Sequence, residues 1–286
     1  METTSTGNLL LSAPLAHMTA PGIPVVFIHG LWIHSSSWTP WVELFHAAGY
    51  QPIAPGWPGD GETVADTRAR PGRLAGVGLE DIATHYRGII EDLDRPPIVI
   101  GHSVGGTVVQ KLNLTSDLCA AVVLNPAPIK GVRALPLAQL RSSFPVLRSP
   151  GNQKRVIALS AEQFRYGFGN TLTADESDEL HERFAIPGPG RPLFEVATSN
   201  FRSSSPAAVD TRTGQRAPLL FVSAERDHTV PDVVTRAAHR LYRDSPAVAD
   251  LIQLPGRGHS APFDHGWADV ADQVESWVKR QVVSHA

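Results

Sequence analysis

The stretch Pro97-Ile98-Val99-Ile100-Gly101-His102-Ser103-Val104-Gly105-Gly106 constrains this chain more than any other. Ile98 to Ile100 is a β-branched apolar run of the kind that forms a buried strand, and Val104, Val108 and Leu112, spaced four apart, resume at once as one face of a helix. A strand that ends in Gly-x-Ser-x-Gly and re-emerges as a helix turns sharply at the serine. Side chains flanking that serine would collide, which is why glycines stand there. The pattern by itself is weak in a chain with 24 glycines. Its meaning depends on whether the rest of the sequence supplies the partners that a nucleophilic serine needs.

The order of the remaining elements answers part of that. Val25 to Ile28 reads as a buried strand that ends on His29-Gly30 and opens into a Ser-rich loop. Trp38 to Ala48 reads as a helix with Trp38, Val42 and Phe45 on one face, stopped by Gly49. Tyr50 to Ala54 is the next strand, and the turn formers from Pro55 to Gly61 make a rim loop. Leu79 to Leu93 follows as a helix, then the Ser103 turn, then a strand from Ala120 to Leu124. Such alternation predicts right-handed crossovers and a mostly parallel α/β sheet.

After Pro128 the rhythm changes. Ser160-x-x-Gln163 and Thr173-x-x-Glu176 are capping-box signatures, no strong strand is visible, and Phe144, Phe164, Tyr166, Phe168, Phe184, Phe194 and Phe201 cluster there. Residues 129–213 are expected to be a helical cap inserted into a core made of 1–128 and 214–286. A strand from Pro218 to Ser223, a helix from Pro231 to Tyr242, a strand from Ala249 to Leu254 and a helix from His265 to Val282 restore the core pattern.

Serine is a poor nucleophile at neutral pH unless an imidazole, held in one tautomer by a carboxylate, takes its proton. Asp227 follows the strand that ends at Ser223, and His259 follows the strand that ends at Leu254. Parallel strands would deliver both to the rim that carries Ser103. Glu225 and Asp264 are the other carboxylates near enough in sequence to serve.

With His29-Gly30, the Gly101 to Gly105 turn, Asp227-x-x-Val230-Pro231 and Gly256-x-Gly258-His259, the chain resembles the α/β-hydrolase fold family from Val25 to its last helix. The resemblance implies that Ser103 attacks an acyl carbon, that His259 is the base and that Asp227 orients it. It implies an oxyanion hole made of the backbone N–H groups of Leu31 and Val104. Trp32, Trp57 and His102 are candidate substrate contacts, although core packing would account for Trp57 equally well. The segment from Val25 to Gly49 is also similar to the plant methylesterase and hydroxynitrile lyase group, with His34, Trp38 and Ala48-Gly49 as the echoes. Ser260 stands where the lyases carry lysine, which disfavours lyase chemistry.

The implied activity is a cofactor-free serine hydrolase acting on a carboxylic ester, thioester or lactone of a small to medium apolar substrate. Amide or C–C bond hydrolysis on the same triad, and a catalytically silent ligand-binding member of the fold, are the alternatives. A net charge of -3 and a pI near 6.4 carry no basic footprint for nucleic acid or a membrane surface. No His-Glu-x-x-His or Cys-x-x-Cys spacing points to a metal. The single cysteine, Cys119, reads as a core residue and cannot form an internal disulfide, which favours a cytoplasmic setting. No Lys or Arg precedes the apolar run Leu9 to Ala16, so it reads as an edge strand or a lead-in rather than a signal peptide. No feature specifies an oligomeric state.

Overall fold

The computed structural model describes residues 22–283, so the Leu9 to Ala16 run lies outside the described residues. In chain order the strands are β1 (Pro24–Ile28), β2 (Gln51–Ile53), β3 (Ile98–His102), β4 (Ala120–Leu124), β5 (Val156–Ile157), β6 (Gly188–Pro189), β7 (Leu219–Ala224) and β8 (Ala249–Leu254). Six of them form one all-parallel sheet in the order β2-β1-β3-β4-β7-β8, while β5 and β6 pair antiparallel with each other. The helices are α1 (Thr39–Ala47), α2 (Val64–Ala69), α3 (Leu79–Glu91), α4 (Val104–Thr115), α5 (Leu137–Leu147), α6 (Ala161–Gly167), α7 (Ala174–Phe184), α8 (Arg191–Ala197), α9 (Asp232–Arg240) and α10 (Trp267–Val283). No helix among the described residues is long and apolar enough to cross a membrane.

The central strands β1, β3, β4 and β7 are buried along their whole length, because helices cover the sheet on both faces. Alternate residues therefore enter different cores. Val26, Ile28, Val99 and Val123 pack with α3, α4 and α9, whereas Val25, Phe27, Ile100 and Val122 pack with α1 and α10. On α1 it is Trp41, not Val42, that is fully buried; its Nε1 donates to the Pro262 carbonyl at 2.7 Å and ties α1 to the loop carrying His259. Cys119 also departs from expectation. It directly precedes the first residue of β4, is only half-buried, and its Sγ lies 3.0 Å from the Pro96 carbonyl.

Helices α5 to α8 and the β5–β6 pair occupy the chain between β4 and β7. The Ser160 capping box forms in full, but only half of the second one does: Thr173 accepts from the Glu176 N–H while the Glu176 carboxylate reaches His265 instead. Several contacts fasten this segment to the core. Ile33 bridges Ala185, His34 N–H donates to the Phe184 carbonyl at 2.9 Å, and Ile186 N–H donates to the Trp32 carbonyl at 2.9 Å. Arg68 donates to the carbonyls of His181, Glu182 and Ala185 at the C-terminal end of α7. The buried Glu195 on α8 accepts the Leu79 N–H at 2.7 Å and so caps α3.

Candidate active site

Ser103 has φ 55° and ψ -120°, a conformation L residues rarely adopt. Its N–H donates to the Leu124 carbonyl at 2.9 Å, and its own carbonyl accepts from Ala127 N–H at 2.9 Å, so both neighbours in the chain's rim hold the turn. The flanking glycines are required by distance. A Cβ on Gly101 would meet the Gly105 carbonyl oxygen at 2.5 Å, and one on Gly105 would meet the Ile28 carbonyl oxygen at 2.4 Å. A Cβ on Gly30 would lie 3.0 Å from the Ser103 Cβ, so the His29-Gly30 turn after β1 rests directly against the serine.

His259 Nδ1 and Asp227 Oδ2 are 2.6 Å apart, with both side chains fully buried. Asp227 Oδ1 accepts the N–H groups of Thr229 and Val230, each at 2.7 Å. The His259 ring is bracketed by Phe168, at 4.8 Å between centroids, and by His102, at 4.5 Å. Its Nε2 is buried and has no hydrogen-bond partner among the described residues. A partnerless Nε2 beside a carboxylate-held Nδ1 can accept a proton. The other two carboxylates are engaged elsewhere: Glu225 accepts from Gly256 N–H, and Asp264 pairs with Arg257 while accepting from Ser260 Oγ and Gly266 N–H.

His102 lies behind this pair. Burial, reinforced by the nearby His259, pushes its imidazole well below the usual histidine range, so it is neutral and its Nε2–H donates to the His259 carbonyl at 3.0 Å. It buttresses the His259 backbone from the sheet side.

A cavity of about 430 Å³ opens above Ser103, and Leu31, Val104 and Trp32 lie with the serine in its wall. Val104 is the first residue of α4, and an N–H at that position has no acceptor within its own helix. Trp32 is fixed by its Nε1, which donates to the Ile157 carbonyl at 3.0 Å. Trp57 and His102, in contrast, are not in the wall. Trp57 stacks on His29 at 4.8 Å, its N–H donates to Asp60 at 2.8 Å, and Asp60 lies 2.9 Å from His29 Nε2. That cluster is buried behind the Gly30 turn and braces it. Much of the cavity's wall comes from residues that sequence patterns did not single out, including Val132, Gln139, Leu140, Leu193, Val196 and Thr229. Thr229 was within reach, since it lies two residues after Asp227; Val132 lies in the loop before α5, and the others belong to helices whose facing depends on tertiary packing. Among the described residues no group of three or more His, Cys, Asp or Glu side chains is arranged to hold a metal ion.

Comparison with solved structures supports the fold. The chain is similar to a monoacylglycerol lipase from Paleococcus ferrophilus, with a TM-score of 0.65 and 21% identity over 91% of this chain and 97% of that one. It is similar to a thermophilic esterase from Thermogutta terrifontis, with a TM-score of 0.64 and 17% identity over 92% of each chain. A methylesterase from Arabidopsis aligns with a TM-score of 0.62 and 16% identity over 90% of this chain and 99% of that one. No curated protein matches the sequence. The family model described as "Alpha/beta hydrolase family" matches residues 25–273, which span β1 to the middle of α10, and the chain therefore belongs to the alpha/beta hydrolase family.

Proposed function

We propose that this protein is a cofactor-free serine hydrolase that cleaves a carboxylic ester, thioester or lactone of a small to medium apolar substrate. Ser103 Oγ attacks the acyl carbon while His259 Nε2 accepts its proton, and Asp227 stabilises the imidazolium that forms. The tetrahedral oxyanion is met by the N–H groups of Leu31 and Val104. Collapse of that intermediate expels the alcohol or thiol, which takes the proton from His259. Water then attacks the acyl-Ser103 ester with His259 again as base, releasing the acid and restoring the serine.

The observation that carries this reading is the combination of a strained Ser103 in the wall of an apolar cavity with a buried His259–Asp227 pair whose second ring nitrogen is unengaged. Leu31, Leu140, Leu193, Val132 and Val196 give the wall apolar surface, which suits an acyl or alkyl body. The single, half-buried cysteine is compatible with a cytoplasmic setting.

A fluorophosphonate probe tests the nucleophile directly. The wild type should be labelled at Ser103 and should hydrolyse p-nitrophenyl esters, and Ser103→Ala should do neither. Folded wild-type protein that resists the probe, or a Ser103→Ala variant with undiminished turnover, would exclude this chemistry.

A further inference from the structure

Helix α5 is built inside out. Gln139, Ser142 and Val146 are its buried residues, while Leu137 and Phe144 are 83% and 61% exposed. Ser142 is satisfied, because its Oγ lies 2.9 Å from Thr229 Oγ1. Gln139 is not. The residue is 9% exposed, its Oε1 is buried, no hydrogen-bond partner serves its amide among the described residues, and it lies in the wall of the cavity that holds Ser103.

The cause is local and covalent. Gln139 is the third residue of α5, the position from which a glutamine folds back to accept the backbone N–H of the N-cap residue. Gln163 does this at the equivalent position of α6, accepting from Ser160 N–H at 2.9 Å. The N-cap of α5 is Pro136, which has no N–H to offer. The amide is thereby denied its ordinary partner.

A buried amide without a partner is costly, and a ligand group that completes it cancels the cost. The other carboxamide of the wall is already used: Asn200 Oδ1 accepts Gly131 N–H at 2.7 Å and its Nδ2 donates to the Val132 carbonyl at 2.7 Å. Gln139 is thus the buried carboxamide of the wall with its hydrogen-bonding capacity still open.

We propose that Gln139 is a specificity-determining residue, and that the substrate is an ester whose apolar body carries one hydroxyl or amide group, remote from the scissile carbonyl, which pairs with the Gln139 carboxamide. A hydroxyl can both donate to Oε1 and accept from Nε2, so it matches either orientation of the amide. The proposal rests on Ser103 being the nucleophile of this cavity, and its test separates the two.

The test compares p-nitrophenyl esters of unsubstituted acyl chains with esters of the same length bearing a single hydroxyl at successive positions, using wild type, Gln139→Met and Gln139→Leu. For one hydroxyl position the wild type should favour the substituted ester in kcat/KM by about tenfold, the worth of one hydrogen bond that is otherwise left unmade. The preference should reside in KM and should vanish in both variants. The melting temperature of Gln139→Met should equal or exceed that of wild type, because an orphaned amide has been removed. The same ester pairs are added to Ser103→Ala, where a larger thermal shift with the hydroxylated member reads recognition without turnover. Absence of turnover in the wild type, with a retained thermal preference, would count against Ser103 and leave Gln139 supported. No preference at any hydroxyl position, or an unchanged preference in the Met and Leu variants, would overturn the role of Gln139.

Discussion

His259 Nδ1 lies 2.6 Å from Asp227 Oδ2, and the same carboxylate closes its own loop by accepting the Thr229 and Val230 N–H groups through Oδ1. One side chain thus holds the ring and is itself held, so its orientation does not depend on the ring. In Asp227→Asn the amide oxygen would keep the two backbone donors and the NH2 would face Nδ1. That stabilises the tautomer with its proton on Nε2, which cannot act as base. Turnover of a p-nitrophenyl ester should fall by about 10⁴-fold with the melting temperature nearly unchanged. A kcat within tenfold of wild type would mean that this carboxylate does not set the tautomer.

The positive φ of Ser103 has a measurable cost. Replacing the serine by alanine keeps the Cβ and hence the strain, whereas glycine relieves it. In chemical denaturation Ser103→Gly should be about 1 kcal/mol more stable than Ser103→Ala. Equal midpoints for the two variants would mean that the turn is unstrained.

Glu195 joins α8 to the core by accepting the Leu79 N–H at 2.7 Å and pairing with Arg191 at 2.8 Å. Glu195→Ala leaves the first N–H of α3 buried without an acceptor. Stability should drop by about 2 kcal/mol. Urea unfolding followed by tryptophan fluorescence would register this, and an unchanged midpoint would show that the latch carries no net stabilisation.

His102 sets a pH dependence. Burial lowers its pKa, so below about 6.5 the unfolded chain takes up a proton that the native state refuses. The contribution is complete above that value and is lost as the pH falls, with a limiting slope of about 1.4 kcal/mol per pH unit. His102→Gln, which can still donate to the His259 carbonyl, should flatten the stability profile between pH 6.5 and 5 relative to wild type. Parallel profiles for the two proteins would rule out a neutral His102 in the native state.

The sheet was legible because β1, β3, β4 and β7 are buried on both faces and so read as unbroken apolar runs, and because Ser103, Asp227 and His259 follow strand ends. The Gly101 to Gly105 turn was legible because each glycine answers a backbone contact shorter than a Cβ allows. The cavity was not. On α5 the buried residues are a glutamine, a serine and a valine, while Leu137 and Phe144 face outward, so hydrophobic periodicity does not pick out the inward face of the helix. Trp57 misleads for a related reason: a rim loop containing tryptophan resembles a pocket wall, but stacking on His29 draws this ring behind the Gly30 turn. Glu176 shows how a local signature yields to a distant partner, here His265.

The loop that bears Leu31 is stitched to the segment above it at three successive residues, through the Trp32 carbonyl, the Ile33–Ala185 bridge and the His34 N–H. The Trp32 indole adds a fourth tie to Ile157. Under the proposed mechanism, in which the Leu31 N–H meets the oxyanion, recognition and rate are therefore mechanically coupled. A segment transplanted from a relative between β4 and β7 would carry its own edge in place of Phe184 to Ile186 and would drag the Leu31 N–H out of position. New selectivity must come from exchanging side chains within the existing roof, one at a time, and not from exchanging the roof.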